Sequence, residues 1–397
     1  MQAGQTNTVI TLGLAQMLAW GSSYYLPAFV AGPMAGELGV PVSTVFAAFS
    51  VALILSAFLG PHSGRAIDRF GGRPVLMITN IIFAVSLVLL GSAQSRTGMF
   101  LGWALLGVAM GSGLYEAAFS TLVRLYGDAS RSAITGVTLI AGFASTVGWP
   151  VTAWLQADFS WRHACFVWGM LHLMVGLPLN ARLPRFSAVR FDRAESQVGT
   201  HSGTSLGVML ILSFVFAATW FLSTAMASHL PRLLQAWGVS FAAAIAVGAL
   251  IGPAQVCARL LEFGLGRKAH PIFSARIAAV LHPLGATALI VFGAPAATVF
   301  GILHGAGNGI LTIAMGKLPL VYFGPNGYGR RQGLLMIPAR IAQAVSPWLF
   351  GLALDRWGAG ALGVSTTVAS LGLIALLLLS TSGPARRATT ACEDRPR

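Results

Sequence analysis

The sequence predicts an all-α integral membrane protein, and both its composition and its long apolar runs lead to this fold class. Of the 397 residues, 55% are hydrophobic and only 9% are charged, and the mean hydropathy is +0.75. A soluble domain has about 25% charged residues, so this chain lacks the charge that a water-exposed surface of its size needs. Because lipid offers no hydrogen-bond partners to the backbone, open sheet edges and bare loops are excluded and a bundle of helices remains.

The apolar runs give the individual elements. A helix crosses roughly 30 Å of hydrocarbon with about 20 residues, and about twelve stretches of the chain meet this requirement. We number them spans 1 to 12, with predicted bounds at 8–31, 43–63, 75–93, 99–124, 134–155, 163–181, 206–229, 241–262, 272–292, 297–320, 333–352 and 361–380. Span 1 follows no basic segment and is too long for a signal peptide, so we expect it to remain as the first membrane helix.

The distribution of basic residues predicts the orientation. The formal net charge is +14, and most Lys and Arg fall in the loops and tails on the side of the amino terminus. The basic residues in loops of the opposite side are Arg96, Arg162, Arg232 and Arg356. This asymmetry follows the positive-inside rule and predicts a multi-pass protein of the cell inner (plasma) membrane with both termini cytoplasmic. It accounts for the basicity without a nucleic-acid partner, so the expected surroundings are membrane lipids.

A polar interruption divides the chain into two similar halves. We predict an N-terminal six-helix bundle at 1–183, a cytoplasmic linker at 184–205, a C-terminal six-helix bundle at 206–380 and a cytoplasmic tail at 381–397. An internal repeat supports the division, because glycines with one spacing occur in spans 4 and 10; they are Gly107, Gly111 and Gly113, and Gly301, Gly305 and Gly307. Such repeats are typical of carriers, although glycines at this spacing more often serve helix packing.

Several functional classes lack their characteristic residues. The sequence contains no Gly-Lys-Ser/Thr phosphate loop and no serine elbow, and its His and Cys residues have no metal-site spacing. The three cysteines, Cys165, Cys257 and Cys392, are far apart, so no disulfide is expected. We therefore predict that the chain is not an enzyme and that it needs no cofactor and no metal.

A polar stretch between spans 2 and 3 carries a family resemblance. Gly64-x-x-x-Asp68-Arg69-x-Gly71-Gly72-Arg73 resembles the signature loop of the major facilitator superfamily (MFS), with Gly72 where a basic residue is usual. With the six-plus-six division, the resemblance covers the whole chain. It implies the MFS fold and a rocker-switch secondary transporter with one substrate path between the halves.

The resemblance also assigns roles within this loop. In the resembled family the acidic residue, here Asp68, latches onto the start of span 11, near residues 331–334. We expect a conformational latch formed by Gly64, Asp68, Arg69, Gly71 and Arg73. Glycine at a tight turn permits positive φ, and an anion at a helix amino end is favoured by about 0.3–1 kcal/mol. An ordinary positive-inside turn is the alternative interpretation.

Two charged residues inside predicted spans are the leading site candidates, Glu116 in span 4 and Arg340 in span 11. A charge at the bilayer centre costs about 2.5–3.5 kcal/mol on insertion scales, so such residues usually have a function. We expect them to pair across the cavity or to share a substrate, with Glu116 as the proton carrier and Arg340 as the ligand of an anion. A static structural ion pair remains the alternative.

Other polar and aromatic residues form a second group of candidates for proton coupling or substrate contact. His304 and Asn308 lie one turn apart in span 10, Tyr24 lies in span 1 and Tyr115 precedes Glu116. Aromatic and amide groups suit a partly apolar organic substrate, although aromatic stripes are more often packing. His229 and His282 are expected to be satisfied locally. Arg259 and Glu262, three residues apart in span 8, are expected to form an interfacial ion pair.

These features together predict a gradient-driven carrier of a small molecule, with H⁺ as the coupling ion. Gly136, Gly142, Gly148 and Pro150 in span 5 resemble a degenerate antiporter signature and favour export. The positive and titratable groups of Arg340 and His304 favour an organic anion such as a monocarboxylate, and a drug-like compound is also compatible. Three alternatives stay open, namely an arsenite efflux carrier, a channel, and a non-transporting membrane sensor on the same fold.

Overall fold

A computed structural model describes residues 3–127, 130–185, 206–265, 270–323 and 328–380. Within these ranges the chain is helical and contains no β-strand. The α-helices are α1 (Ala3–Ser22), α2 (Pro27–Leu38), α3 (Val42–Phe70), α4 (Gly72–Gly91), α5 (Arg96–Gly113), α6 (Tyr115–Tyr126), α7 (Ser130–Ala141), α8 (Ala144–Asp158), α9 (Trp161–Leu171), α10 (Leu177–Ala181), α11 (Leu206–Ala236), α12 (Phe241–Leu265), α13 (Pro271–Phe292), α14 (Ala297–Phe323), α15 (Tyr328–Trp357) and α16 (Ala361–Leu378).

The all-helical prediction is confirmed, and each predicted span corresponds to one helix or to a broken pair. Ten stretches of the described residues are long and apolar enough to cross a membrane, and one of them, Leu334–Leu378, contains most of α15 and all of α16. Span 1 is divided into α1 and α2, span 4 into α5 and α6, and span 5 into α7 and α8. A π-helical turn, His172–Gly176, joins α9 to α10 in span 6.

The break in span 4 lies where the Thr79 side chain of α4 contacts the end of α5. Leu114, between α5 and α6, has an extended conformation with φ −84° and ψ −162°. One turn of α4 packs against the last turn of α5, where the Thr79 hydroxyl donates to the Ser112 hydroxyl at 3.1 Å. A Cβ at Gly113 would come within 2.5 Å of the Thr79 side chain. The break places Tyr115 and Glu116 in the first turn of α6.

The polar stretch from Gly64 to Arg73 is not the long loop that the apolar runs predict. Helix α3 continues to Phe70 and α4 begins at Gly72, which leaves Gly71 alone between them. The prediction placed the end of the helix at residue 63 because the charges begin there, but neither Pro61 nor Gly64 ends α3, which continues through them to Phe70. Gly71 has φ +87°, so the expected positive-φ glycine is confirmed at this turn.

The described helices cluster by their contacts into two compact units. Unit 1 comprises Met1–Val189, Ala225–Pro253 and Ala344–Ala359, and unit 2 comprises Arg190–Thr224, Ala254–Gln343 and Gly360–Arg397. The domain boundaries proposed from the sequence stay a prediction. Residues 186–205 of the predicted linker (184–205) and the predicted tail at 381–397 lie outside the described residues.

Repeated glycines allow close helix packing in each unit. In unit 1, a Cβ at Gly107 would lie 2.4 Å from the Ala52 carbonyl oxygen, so α5 packs directly on the α3 backbone. In unit 2, a Cβ at Gly307 would lie 2.7 Å from the Ala278 carbonyl oxygen of α13. The packing interpretation of these glycines therefore accounts for both positions.

At the predicted outer end of unit 1, parts of α11, α12 and α15 pack against α3 and α8. The indole of Trp149 occupies the space that a Cβ at Gly248 would need, at 1.6 Å. The Thr146 hydroxyl donates to the Ala249 carbonyl oxygen at 2.8 Å. The His229 ring lies 3.8 Å from the Phe46 ring, between centroids. This end of unit 1 is therefore tightly packed.

An ion pair also lies at the predicted outer end. Arg162 Nη2 is 2.8 Å from Glu37 Oε1, and the Trp161 indole N–H donates to Glu37 Oε2 at 2.6 Å. The hydrogen bonds from Arg162 and Trp161 to the ionised carboxylate lower the pKa of Glu37 below its ordinary value of 4.5.

Candidate functional site

A pair of buried histidines forms the centre of the candidate site in unit 2. His282 of α13 and His304 of α14 face each other, with their Nδ1 atoms 2.9 Å apart. Each residue is 5% exposed. At this distance one Nδ1 carries a proton and the other accepts it, so the two rings share one N–H in a hydrogen bond. The pair is a titratable group inside the helix bundle of unit 2.

A small cavity lies beside this histidine pair. Its volume is about 30 Å³, and its polar lining residues are His282, His304, Asn308 and Thr219. The remaining lining residues are aliphatic, and no charged side chain lines the cavity. A water molecule requires about 10–15 Å³ of such space, so the cavity has room for water. His282 Nε2 is buried and has no hydrogen-bond partner.

Asn308 extends this polar group one turn along α14. Its amide nitrogen donates to the Ser223 hydroxyl of α11 at 3.3 Å. Asn308 and His304 line the same cavity, so the face of α14 proposed from the sequence is polar and borders open space. The sequence placed these two residues together but did not include His282.

Arg340 is the second feature of unit 2. Its guanidinium carbon lies 5.3 Å from the centroid of the Trp220 ring, and its Nη1 donates to Gln343 Oε1 at 2.8 Å. An arginine on an aromatic face is a cation–π arrangement that keeps hydrogen-bond donors at its edge. This geometry suits an anion that carries an aromatic or other planar group.

In unit 1 the predicted aromatic residues come together around Trp20. The Trp20 and Tyr24 rings are 4.9 Å apart between centroids, and the Trp20 and Tyr115 rings are 4.8 Å apart. Tyr24 is buried. Gln16, on the same helix as Trp20, donates to the Gly113 carbonyl oxygen at 2.6 Å. The structure therefore connects α1 to the break between α5 and α6.

Glu116 is exposed in the first turn of α6. A carboxylate is electrostatically favoured there, because the amino end of a helix carries partial positive charge. Glu116 belongs to unit 1 and Arg340 to unit 2, so their pairing stays a prediction.

The five latch residues lie around the turn between α3 and α4. Gly64, Asp68 and Arg69 lie on the last turns of α3, and Asp68 and Arg69 are exposed. Gly71 forms the turn and Arg73 is partly buried in the first turn of α4. These residues therefore lie together at one end of unit 1. Their function as a latch stays a prediction.

The unusual glycine of this stretch has a structural cause. A Cβ at Gly72 would lie 2.1 Å from the Thr121 hydroxyl oxygen, so a larger residue cannot start α4 without moving α6. The bulk of the Thr121 side chain therefore accounts for the departure at Gly72 from the basic residue that is usual in the resembled family.

Sequence reasoning missed four sets of polar contacts. The Glu262 carboxylate binds the Lys317 ammonium group at 2.8 Å, whereas the prediction considered only Arg259 as its partner. Arg259 Nε donates to the Gly309 carbonyl oxygen at 3.3 Å. His172, which received no role, forms a buried hydrogen-bond network, and His282 bonds to His304. A signal for the last pair exists, because His282 and His304 lie equally far in sequence from the turn at Gly293.

A comparison with protein families matches residues 12–295 to the model described as "Major Facilitator Superfamily". The chain belongs to this family. This MFS protein is therefore a multi-pass membrane transporter, and the family predicted from the Gly64–Arg73 stretch is confirmed.

Curated relatives of this MFS transporter are distant. It is 25% identical over 365 residues to an "Uncharacterized 38 kDa protein in 23S RNA operon" of Thermoproteus tenax, covering 91% of this chain and 92% of the relative. It is 28% identical over 148 residues to the multidrug resistance protein MdtL of Klebsiella pneumoniae (strain 342), with 36% of this chain and 37% of MdtL covered. It is 23% identical over 259 residues to the 4-hydroxybenzoate transporter PcaK of Pseudomonas putida, with 56% and 57% covered.

Solved structures share the fold of this MFS transporter. An inward-facing, occupied bacterial homologue of the human lysosomal transporter Spinster aligns with a TM-score of 0.69 and 15% identity, over 100% of this chain and 99% of the other. A mutant of the nucleoside transporter NupG aligns with a TM-score of 0.73 and 15% identity, over 94% and 99%. At these identities the similarity establishes the fold alone.

Proposed function

We propose that this MFS transporter is a secondary active carrier that couples the movement of a small organic anion to protons by alternating access. The observation that carries the proposal is the shared hydrogen bond between His282 and His304 beside a cavity with room for water. Imidazole is the side chain whose ordinary protonation range lies nearest neutral pH. Buried polar groups of this kind in membrane helices mark proton relays in transporters.

The organic anion is supported by the surroundings of Arg340. Its guanidinium lies over the Trp220 ring and is oriented by Gln343, which combines a cationic group with a flat apolar surface. PcaK, one of the relatives, is named as a transporter of 4-hydroxybenzoate, an aromatic carboxylate. A substrate with these two chemical groups suits the geometry.

Export is the proposed direction. The glycine-proline pattern of span 5 resembles an antiporter signature, and MdtL is named as a multidrug resistance protein. The arsenite alternative would need thiolate ligands. Of the described cysteines, Cys165 is buried and Cys257 is exposed, which gives this alternative little support.

The proposal is tested with purified transporter in proteoliposomes under an imposed pH gradient. Pools of aromatic and aliphatic carboxylates, cationic drugs and arsenite are offered to the wild type and to His304→Gln. We expect gradient-driven flux of the carboxylate pool, which His304→Gln lowers by about tenfold or more. His62→Gln is the matched control, because His62 is an exposed histidine of α3. Flux of arsenite alone supports the metalloid carrier, and ligand binding without flux supports the sensor.

We further propose that the five residues around the α3–α4 turn act as a conformational latch. Asp68 is exposed at the end of α3, where it is available to the amino end of another helix. Asp68→Asn is expected to lower turnover about twofold to fivefold, with unchanged substrate affinity, because a helix-end interaction at an exposed site contributes about 0.3–1 kcal/mol. Counterflow in vesicles measures turnover. Unchanged turnover would contradict the latch.

A further inference from the structure

An arginine-rich pocket lies where α3, α4, α6 and the segment after α10 meet at the predicted inner end of unit 1. Its volume is about 410 Å³, within the range of roughly 300–1,000 Å³ of small-molecule sites. Arg73, Arg124 and Arg185 line it, and no lining residue is acidic. We call it the Arg73 pocket. The transport proposal assigns it no binding role.

The positive charge of this pocket comes from three separate elements. Arg73 lies in the first turn of α4, Arg124 lies in the last turn of α6, and Arg185 lies on the chain after α10. Like charges repel unless an anion or solvent screens them. Guanidinium groups bind phosphate oxygens through paired N–H donors. A cluster of this kind is therefore suited to a phosphate group.

The start of α4 adds a second attraction for an anion. The helix follows Gly71, which has no side chain to cap the first-turn N–H groups, and both Gly71 and Gly72 line the pocket. Uncapped N–H groups and the helix dipole make the amino end of a helix an anion site. The absence of a side chain at Gly72 also lets α4 and α6 approach at Thr121, so that Arg73 and Arg124 share one pocket.

The pocket also has apolar lining residues. Phe70, Met77 and Leu125 line it, and Phe70 is 59% exposed. A phosphate alone does not need such a surface, whereas a phosphate attached to an apolar or glycerol group would contact it. Basic pockets among membrane helices on the cytoplasmic side are the expected positions for anionic lipid headgroups.

We propose that the Arg73 pocket binds a phosphate-bearing anion, through the arginines of three chain segments and the amino end of α4. Two sources share this chemistry, the headgroup of an anionic phospholipid and a soluble organic phosphate. All lining residues of the pocket belong to unit 1, whereas His282 and Arg340 belong to unit 2, so this proposal does not depend on the identity of the transported substrate.

Binding is measured on the purified full-length transporter in detergent by native mass spectrometry and thermal unfolding. The probes are phosphatidylglycerol, phosphatidylcholine and glycerol 3-phosphate. We expect phosphatidylglycerol, which carries a net negative charge, to bind at least about tenfold more tightly than the zwitterionic phosphatidylcholine. A tenfold difference corresponds to about 1.4 kcal/mol. Glycerol 3-phosphate binding as tightly as phosphatidylglycerol would identify a soluble ligand, and weaker binding would identify the lipid; both results support the phosphate site.

The variant R73Q/R124Q/R185Q is expected to lose the preference for phosphatidylglycerol. R96Q is the matched control, since Arg96 is an exposed arginine at the predicted outer end, and it is expected to keep the preference. If the triple variant does not give a monodisperse protein, R185E decides the question, because Arg185 is exposed. Equal binding of the two lipids to the wild type, or wild-type preference in R185E and in a folded triple variant, would overturn the proposal.

Discussion

Each unit contains a buried hydrogen-bonded group built around histidine, and the two groups differ in how completely the ring nitrogens are satisfied. In unit 1, His172 Nδ1 is 2.9 Å from Asn80 Oδ1 and His172 Nε2 is 2.8 Å from the Ser22 hydroxyl. Both ring nitrogens therefore have partners. In unit 2, His282 and His304 bond only through Nδ1, and His282 Nε2 has no partner.

The partners determine how the protons are placed. The Asn80 amide nitrogen donates to the Leu76 carbonyl oxygen at 2.8 Å, so its oxygen faces His172 and accepts from Nδ1–H. The tautomer of His172 is thereby fixed. Between His282 and His304 either ring can hold the shared proton, and an adjacent cavity has room for water. The comparison indicates that a fully paired imidazole stabilises the fold, whereas a pair with a spare nitrogen is suited to proton transfer.

Removing the imidazoles of unit 2 gives the largest expected effect. His282→Gln and His304→Gln are each expected to lower gradient-driven flux by about tenfold or more, because the proton-transfer pair is lost. Substrate exchange without a gradient is expected to continue. Proteoliposome flux with and without a pH gradient measures the difference. Equal losses in both assays would indicate a structural role for the pair.

Glu116 tests whether the coupling proton is carried in unit 1 instead of unit 2. Glu116→Gln is expected to lower gradient-driven flux severalfold if this carboxylate, as the sequence suggests, carries the coupling proton. The same flux assay measures it, with Glu262→Gln as the carboxylate control. Loss of coupling in Glu116→Gln together with normal coupling in both histidine variants would move the proton site to unit 1.

Disrupting the network of unit 1 is expected to change stability and not coupling. His172→Ala leaves the Ser22 hydroxyl and the Asn80 amide oxygen without this partner, at a cost of about 1–3 kcal/mol for each buried group. We expect the thermal unfolding midpoint to fall by several degrees. The ratio of gradient-driven flux to exchange in the surviving protein should equal that of the wild type. A changed ratio would mean that the satisfied network also carries protons.

The Glu37–Arg162 ion pair gives the smallest expected effect. It tests how the titration of an exposed carboxylate changes stability, in contrast to the buried histidines. Arg162 and Trp161 lower the pKa of Glu37 in the folded state, so its stabilisation is present above pH 4.5 and is lost as the pH falls through the lowered pKa. Glu37→Gln should melt slightly below the wild type at pH 7. The two proteins should converge in more acidic solution. A difference that persists there would assign the effect to packing.

The sequence predicted the helices, the family and the glycine turn because these depend on local pattern. Apolar runs locate the spans, and Gly71 is a glycine at a turn that needs positive φ. The helical state of residues 64–70 was missed, since charge is a poor guide to where a helix ends outside the apolar zone. Breaks such as that at Leu114 depend on contacts from another helix, here Thr79 of α4, which a local pattern does not contain.

The candidate site was predicted only in part, for the same reason. His304 and Asn308 are one turn apart and share a helix face, which periodicity reveals. His282 lies on a different helix, so its contact depends on how α13 and α14 align. The contact of Glu262 with Lys317 likewise joins α12 to α14, whereas the predicted partner Arg259 was chosen by spacing within one helix.

The close packing of Trp149 against Gly248 offers a way to stabilise another conformation of this transporter. A single methyl group at residue 248 would act as a wedge, because the indole could no longer seat against α12. Gly248→Ala should therefore disfavour the tightly packed outer end and enrich whichever arrangement opens it. The variant would then populate an arrangement that is rare in the native protein. This arrangement could be used for inhibitor screening and structure determination.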